Sequence, residues 1–177
     1  MIPWISGRGA AIAATTLALS TAAAVAAQAP ASALTFTATY SCSVPTVGTE
    51  TVTVDGDFTA SPSPATVASP VSFDLSVESL SVTSPVVINS WNASADVIGR
   101  GAEGSTFQVT GSGGAVPAGQ QITNANLTGR WTPTTPGVDE FTIGGITISA
   151  NTGIFGEVSV ACTPTGAQPV AEALTVR

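Results

Sequence analysis

Between Leu34 and Cys42 every second residue is apolar: Leu34, Phe36, Ala38, Tyr40 and Cys42 alternate with Thr35, Thr37, Thr39 and Ser41. Successive side chains of an extended strand point to opposite faces, so this period of two sets one apolar face against one hydroxyl face. The pattern recurs in Val52, Val54 and Phe58 against Thr53, Asp55 and Asp57, and in Val71, Phe73, Leu75 and Val77 against Ser72, Asp74, Ser76 and Glu78. After Glu78 the apolar positions move to Leu80 and Val82. That change of phase predicts a bulge near Ser79 or a strand that passes from one sheet to another.

Further strands are expected at Val86 to Ile88, Ala95 to Gly99, Thr106 to Thr110, Gln121 to Thr128, Val138 to Ile143, Ile146 to Ser149 and Phe155 to Cys162. Gly144-Gly145, between Ile143 and Ile146, reads as a tight hairpin turn. Thr132-Pro133-Thr134-Thr135-Pro136-Gly137 and Ser61-Pro62-Ser63-Pro64 break the pattern, and the second is stiff enough to carry the chain between two sheets. No stretch sustains a period of 3.6. Many short strands with Gly and Pro turns predict an all-β, antiparallel β-sandwich, immunoglobulin-like, in preference to a closed barrel.

The first 33 residues read as a signal peptide: a start carrying Arg8, an Ala-rich apolar stretch from Ala10 to Ala27, and the small-x-small site Ala31-Ser32-Ala33 just before Leu34. Ala24-Val25-Ala26 is a second possible cut, and the competing reading is an uncleaved anchor of weak hydrophobicity. A β-sandwich domain over 34–164 and a mobile tail over 165–177 complete the expected organisation. The product is secreted, extracellular or retained on the cell wall, with no membrane attachment after cleavage.

Only two cysteines occur, and both fall in the inward register of their strands, Cys42 with Phe36 and Tyr40, Cys162 with Val158 and Val160. In an exported chain this predicts one disulfide joining the first and last strands. With no His and no further Cys, the pair is not a zinc site.

Charge narrows function further. Charged residues make up 8% of the chain, against about 25% in an ordinary soluble domain. Four Arg, no Lys and eleven acids leave a net charge of −7, which argues against nucleic acid or anionic membrane as partner. Without His or Lys, serine and cysteine triads, Ser-Lys dyads and Schiff-base chemistry are excluded. Carboxylate chemistry survives, with Asp55, Asp57, Asp74, Asp96, Glu103, Asp139, Glu140 and Glu157 as the available groups. Acids in turns and on outward strand positions read as solvated surface. Asp55-Gly56-Asp57 is the one spacing that suggests Ca²⁺, but it lacks the further oxygen ligands of a calcium loop, so no metal and no cofactor is expected.

Tyr40-Ser41-Cys42-Ser43-Val44-Pro45, the Val52/Val54 strand, Pro70-Val71, Trp131-Thr132-Pro133-Thr134-Thr135-Pro136-Gly137 and Val160-Ala161-Cys162-Thr163-Pro164 together resemble a secreted actinobacterial domain-of-unknown-function family. That family has a Tyr-x-Cys first strand and a Cys-containing last strand. The resemblance spans Leu34 to Pro164, implies an extracellular β-domain with Cys42 paired to Cys162, and carries over no catalytic residue.

Trp131 keeps the register of Leu127 and reads as core, whereas Trp91, flanked by Asn89-Ser90 and Asn92, reads as exposed in a loop and available to a ligand. Asn92-Ala93-Ser94 and Asn126-Leu127-Thr128 match the glycosylation sequon, which a bacterial-looking export signal renders moot. The function expected is therefore a non-enzymatic secreted module that binds an extracellular protein or cell-wall polymer. The alternative is a small carbohydrate-active enzyme or carbohydrate-binding domain.

Overall fold

The computed structural model describes residues 34–45 and 48–177; the signal peptide, read on residues 1–33, lies outside the described residues. Among the described residues the elements are β1 (Leu34–Val44), β2 (Gly48–Ser61), β3 (Val71–Thr83), β4 (Ser90–Gly101), β5 (Ser105–Gly113), β6 (Gln121–Trp131), β7 (Gly137–Asn151), β8 (Glu157–Pro164) and β9 (Glu172–Val176). All of the strand pairings are antiparallel. The alternation read in β1, β2 and β3 is the alternation of burial found there, with Phe36, Tyr40, Val54, Phe58, Phe73 and Leu75 all turned inward.

The strands run in the order β4-β5-β6-β3-β2-β1-β8-β7, and β7 returns to pair with β4, so eight strands close on themselves as a barrel, with β9 added to β7. This corrects the expected immunoglobulin-like sandwich. A period of two says which face of a strand is buried, and it reads the same whether that face meets a second sheet or the far wall of its own. The deciding ladder joins Ser90 through Gly101 to Asn151 through Asp139, a pairing between residues tens of positions apart that local pattern does not encode.

Closure at β5 and β6 rests on a single ladder pair, Thr110 with Thr128. Glycine permits the strands to come this close: a Cβ on Gly111 would strike the Asn126 carbonyl, and one on Gly129 would lie 2.5 Å from the Gln108 carbonyl.

The change of phase after Glu78 is a bulge. Asp55 faces Ser79 while Gly56 faces Val77, leaving Glu78 as the extra residue. Gly144-Gly145, by contrast, is no hairpin. Both residues sit inside the continuous strand β7, opposite the single residue Asp96 between the pairs Ala95–Ile146 and Val97–Ile143. That irregularity lets one strand serve two neighbours in turn, β9 along Gly137–Phe141 and β8 along Ile146–Asn151. Val86–Ile88 lies in a connection whose one bridge joins Ile88 to Val116, and the Pro-rich segment after Ser61 leads to the adjacent strand β3 rather than to another sheet.

Cys42 and Cys162 stand directly opposite each other on β1 and β8 and form the disulfide, with Cα atoms 3.9 Å apart. Its second member is on the penultimate strand, because the expected mobile tail over 165–177 contains β9. Ala171, Glu172, Leu174 and Val176 are buried there, and backbone hydrogen bonds tie Ala65 to Thr175 and to Arg177. The alternation Glu172, Leu174, Val176 is too short a run to stand out in a tail rich in Ala, Pro and Gln.

Inside the barrel, side chains fill the space, as an eight-stranded barrel allows. Phe73 is the hub of an aromatic cluster, with ring centroids 5.4 Å from Phe58, 4.8 Å from Phe107 and 4.9 Å from Phe141, and Trp131 meets Phe141 edge to face at 5.5 Å. Tyr40 is fully buried and donates its hydroxyl hydrogen to the Ile143 carbonyl at 3.3 Å. Burial pushes its pKa up to about 12.

Candidate functional site

Trp91, expected at the surface, is buried at 7% exposure on β4. Its place in the strand is in phase with Ala95 and Val97, and Gly113 on the paired strand β5 leaves room for the ring: a Cβ there would collide with the indole. With Leu80, Ile122, Ile146 and Ile148 it lines an all-apolar void of about 30 Å³. A void of that size holds one or two waters at most, and with no polar group to bind them it is dry. Trp91 therefore supports the wall from within and offers no face to solvent.

The outer side of that wall has a different chemistry. Asn92 pairs with Ser112 on β5 and with Ser149 on β7; Ser94 pairs with Thr110 on β5 and with Thr147 on β7. The pairing of Thr110 with Thr128 extends the second row to β6, where Asn126 precedes Thr128 by two residues on the same exposed face. Four segments, Thr147-Ile148-Ser149, Asn92-Ala93-Ser94, Thr110-Gly111-Ser112 and Asn126-Leu127-Thr128, thus align across adjacent strands. Their intervening residues point inward, and their hydroxyls and amides form two rows on the outer surface. Over β5, β4 and β7 this face is a shallow, open depression lined by Asn92, Ala93, Ser94, Thr110, Gly111, Ser112, Thr147 and Ser149.

Polar groups bordering these rows bond to one another. On one side Gln108 Nε2 donates to Asp96 Oδ1 at 2.9 Å, and on the other Asn89 Nδ2 donates to Asn151 Oδ1 at 3.2 Å. The two rows between them contain no charged residue and keep their donors and acceptors for solvent or a ligand. Both glycosylation sequons lie in these rows, so the spacing that matched a sequon is also what places one polar side chain in each row.

Next to the rows, β7 continues past Asn151 into a tight hairpin at 152–156. Thr152 holds it: its Oγ1 accepts the Phe155 N–H at 3.1 Å and donates to the Gly156 carbonyl at 3.1 Å, while the Thr152 N–H reaches the same carbonyl at 2.9 Å. Ile154 and Phe155, 77% and 65% exposed, project from this hydrogen-bonded turn. Phe155 was expected to begin a strand. The Gly153 and Gly156 that flank the pair, both at positive φ, are the local signal for the turn.

The acids divide by surroundings. Asp55 and Asp57 face outward on β2, and Asp55 Oδ1 accepts a hydrogen bond of 2.7 Å from Thr37 Oγ1 on β1. Among the described residues no three His, Cys, Asp or Glu side chains group as a metal cage. Asp139, one of the acids available for carboxylate chemistry, is fully buried; its Oδ1 accepts the Glu103 N–H at 2.8 Å and its Oδ2 has no partner among the described residues. Glu103 Oε2 in turn accepts the N–H groups of Thr134 at 2.7 Å and Thr135 at 3.0 Å, and these bonds hold its carboxyl below the ordinary value. The two carboxylates form a relay that fastens the β4–β5 connection to β7 and the β6–β7 connection to the β4–β5 connection. Glu172, 4% exposed at the start of β9 opposite Phe141, is pushed up to about 7 by burial.

No family model, no curated protein and no solved structure matches the chain.

Proposed function

We propose that the chain is a secreted, non-enzymatic module that binds an extracellular protein or cell-wall polymer through the outer face of β7, β4, β5 and β6. The observation that carries this reading is the uncharged double row of hydroxyl and amide groups, set over a wall that Trp91 stiffens from inside. Export is supported by the buried Cys42–Cys162 disulfide, a bond that persists in oxidising compartments. Membership in the secreted actinobacterial family that the Tyr40–Cys42 and Cys162 segments resemble belongs to the same reading.

The alternative is a small secreted carbohydrate-active enzyme or carbohydrate-binding domain, and the enzyme needs two carboxyl groups facing one sugar bond. Asp139 is sealed in the wall, Glu103 serves backbone amides, and Asp55 and Asp96 each satisfy a neighbouring side chain. A binding role without turnover uses none of them.

Incubation of the mature protein with washed cell envelopes and culture-medium polymers should deplete it from solution. Thr110→Trp, which fills the depression with an indole, should abolish depletion while the melting temperature is kept. Undiminished retention of a folded Thr110→Trp protein would show that this face is not the contact.

A further inference from the structure

The two ends of the barrel differ in chemistry. The pairing registers bring the last residues of β4 and β6 and the chain after β9 to one end, and with them Arg100, Arg130 and Arg177, the three arginines of the described residues. At the opposite end lie the connections 84–89, 114–120 and 152–156, none of which contains a charged residue. Backbone bonds brace these connections against one another. Ile88 and Val116 exchange N–H···O bonds of 2.9 and 2.8 Å, the Ser84 N–H reaches the Gln120 carbonyl at 2.9 Å, and the Asn89 N–H reaches the Asn151 carbonyl at 2.7 Å. Val87, Ile154 and Phe155 are the large apolar side chains exposed on this rim.

Water could serve every N–H of so exposed a turn as 152–156, yet four in succession are bonded within the hairpin. Thr152 donates to the Gly156 carbonyl at 2.9 Å, Gly153 to Asn151 Oδ1 at 3.1 Å, Ile154 to the Thr152 carbonyl at 2.7 Å and Phe155 to Thr152 Oγ1 at 3.1 Å. An unpaired N–H is costly only where water is excluded, so a tip bonded in this way can leave water at little cost. The Ile154 and Phe155 carbonyls meet no donor among the described residues, which limits the depth to a zone that water still reaches. The boundary between lipid headgroups and acyl chains is such a zone.

The extent of the apolar patch and its charge select the partner. A specific protein contact engages about 20 to 30 residues a side, far more than three exposed apolar side chains on one rim. Association with a lipid surface scales with the apolar area buried and needs no matching shape. Glu157, exposed at the base of the hairpin opposite Asn151, and the net charge of −7 repel anionic headgroups.

We propose that this uncharged end of the barrel rests on a lipid layer without net charge, with Ile154 and Phe155 inserted at the headgroup boundary and Val87 beside them. The contact is separate from the outer face of β7, β4, β5 and β6. Flotation of the mature protein with phosphatidylcholine vesicles tests it. The protein should float with these vesicles, and less of it as phosphatidylglycerol replaces phosphatidylcholine. Ile154→Ser/Phe155→Ser should weaken flotation about tenfold or more, since two apolar side chains are lost from the contact, and should leave the melting temperature unchanged. Thr110→Trp should float like the native protein. In Phe155→Trp, the emission of the new indole should shift to the blue on addition of phosphatidylcholine vesicles. Failure of the native protein to float, flotation indifferent to Ile154→Ser/Phe155→Ser, or an unshifted Phe155→Trp emission would each overturn the inference, whatever Thr110→Trp does to envelope binding.

Discussion

The two parts of the barrel interior are held by different means. Around Phe73, four further aromatic rings pack at centroid distances of 4.8 to 6.0 Å, and β9 and the Asp139–Glu103 relay close the structure beside them. Around Trp91 the lining is aliphatic, a dry void remains, and the Cys42–Cys162 bond fastens β1 to β8, with Cys162 paired in turn to Ile146 of that lining. Interlocking shape serves the first part and a covalent tie the second. The outer face proposed for binding covers the part whose packing is looser.

Removing the tie should have the largest effect. A Cys42→Ala/Cys162→Ala protein loses the constraint on a sequence separation of 120 residues, worth up to about 5 kcal/mol in the chain-entropy model. Urea unfolding should show the loss. Amide exchange should locate it in β8 and in Ile146–Asn151 of β7 before it reaches β3. Uniform acceleration through both parts would mean that they do not differ.

Truncation of the aromatic hub comes next. Phe73→Ala should cost about 3 to 5 kcal/mol, because a fully buried ring leaves a cavity among neighbours that cannot collapse. Ile122→Ala, at a half-buried position beside an existing void, should cost about 2 kcal/mol or less. Equal costs in equilibrium unfolding would erase the contrast.

The smallest of these effects is the pH response of the β9 region. Glu172 has an ordinary value of 4.5 and is raised to about 7 in the fold. Between these values the unfolded chain releases its proton while the folded chain keeps it. Stability therefore falls as pH rises through that window and levels off above about 7. Thermal melts from pH 4 to 8.5 should show this decline in the native protein and a shallower one in Glu172→Gln. Identical slopes would show that Glu172 reaches water.

Much of this was legible in the chain. The alternation in Phe36–Cys42, Val52–Phe58 and Val71–Val77 gave the inward residues, although Leu34 at the start of the first strand is exposed, and the misphasing at Leu80 gave the bulge. The shared phase of Cys42 and Cys162 pointed to their bond. Closure was not legible, since no local pattern records that Ala95 meets both Val109 and Ile146. Nor was the fate of Trp91 or Asp139. Polar neighbours made Trp91 look exposed although its parity was that of Val97, and the charge of Asp139 concealed a position whose parity is that of Phe141. In both cases alternation was the better guide than residue type. The double row could not be foreseen, because it exists only once four separate segments are brought into register.

The way the acids are satisfied has a consequence for the medium in which the fold persists. Asp55, Asp96, Glu103 and Asp139 take their hydrogen bonds from a hydroxyl, a side-chain amide and backbone N–H groups, not from cations. Dissolved ions shorten the reach of repulsion among surface carboxylates, down to about 3 Å at 1 M, yet hardly touch a short contact with a neutral dipole. Salt therefore weakens the repulsion among these acids more than it weakens the bonds that satisfy them, so the contacts of Asp55, Asp96, Glu103 and Asp139 should persist at ionic strengths that would loosen Lys–Glu pairs.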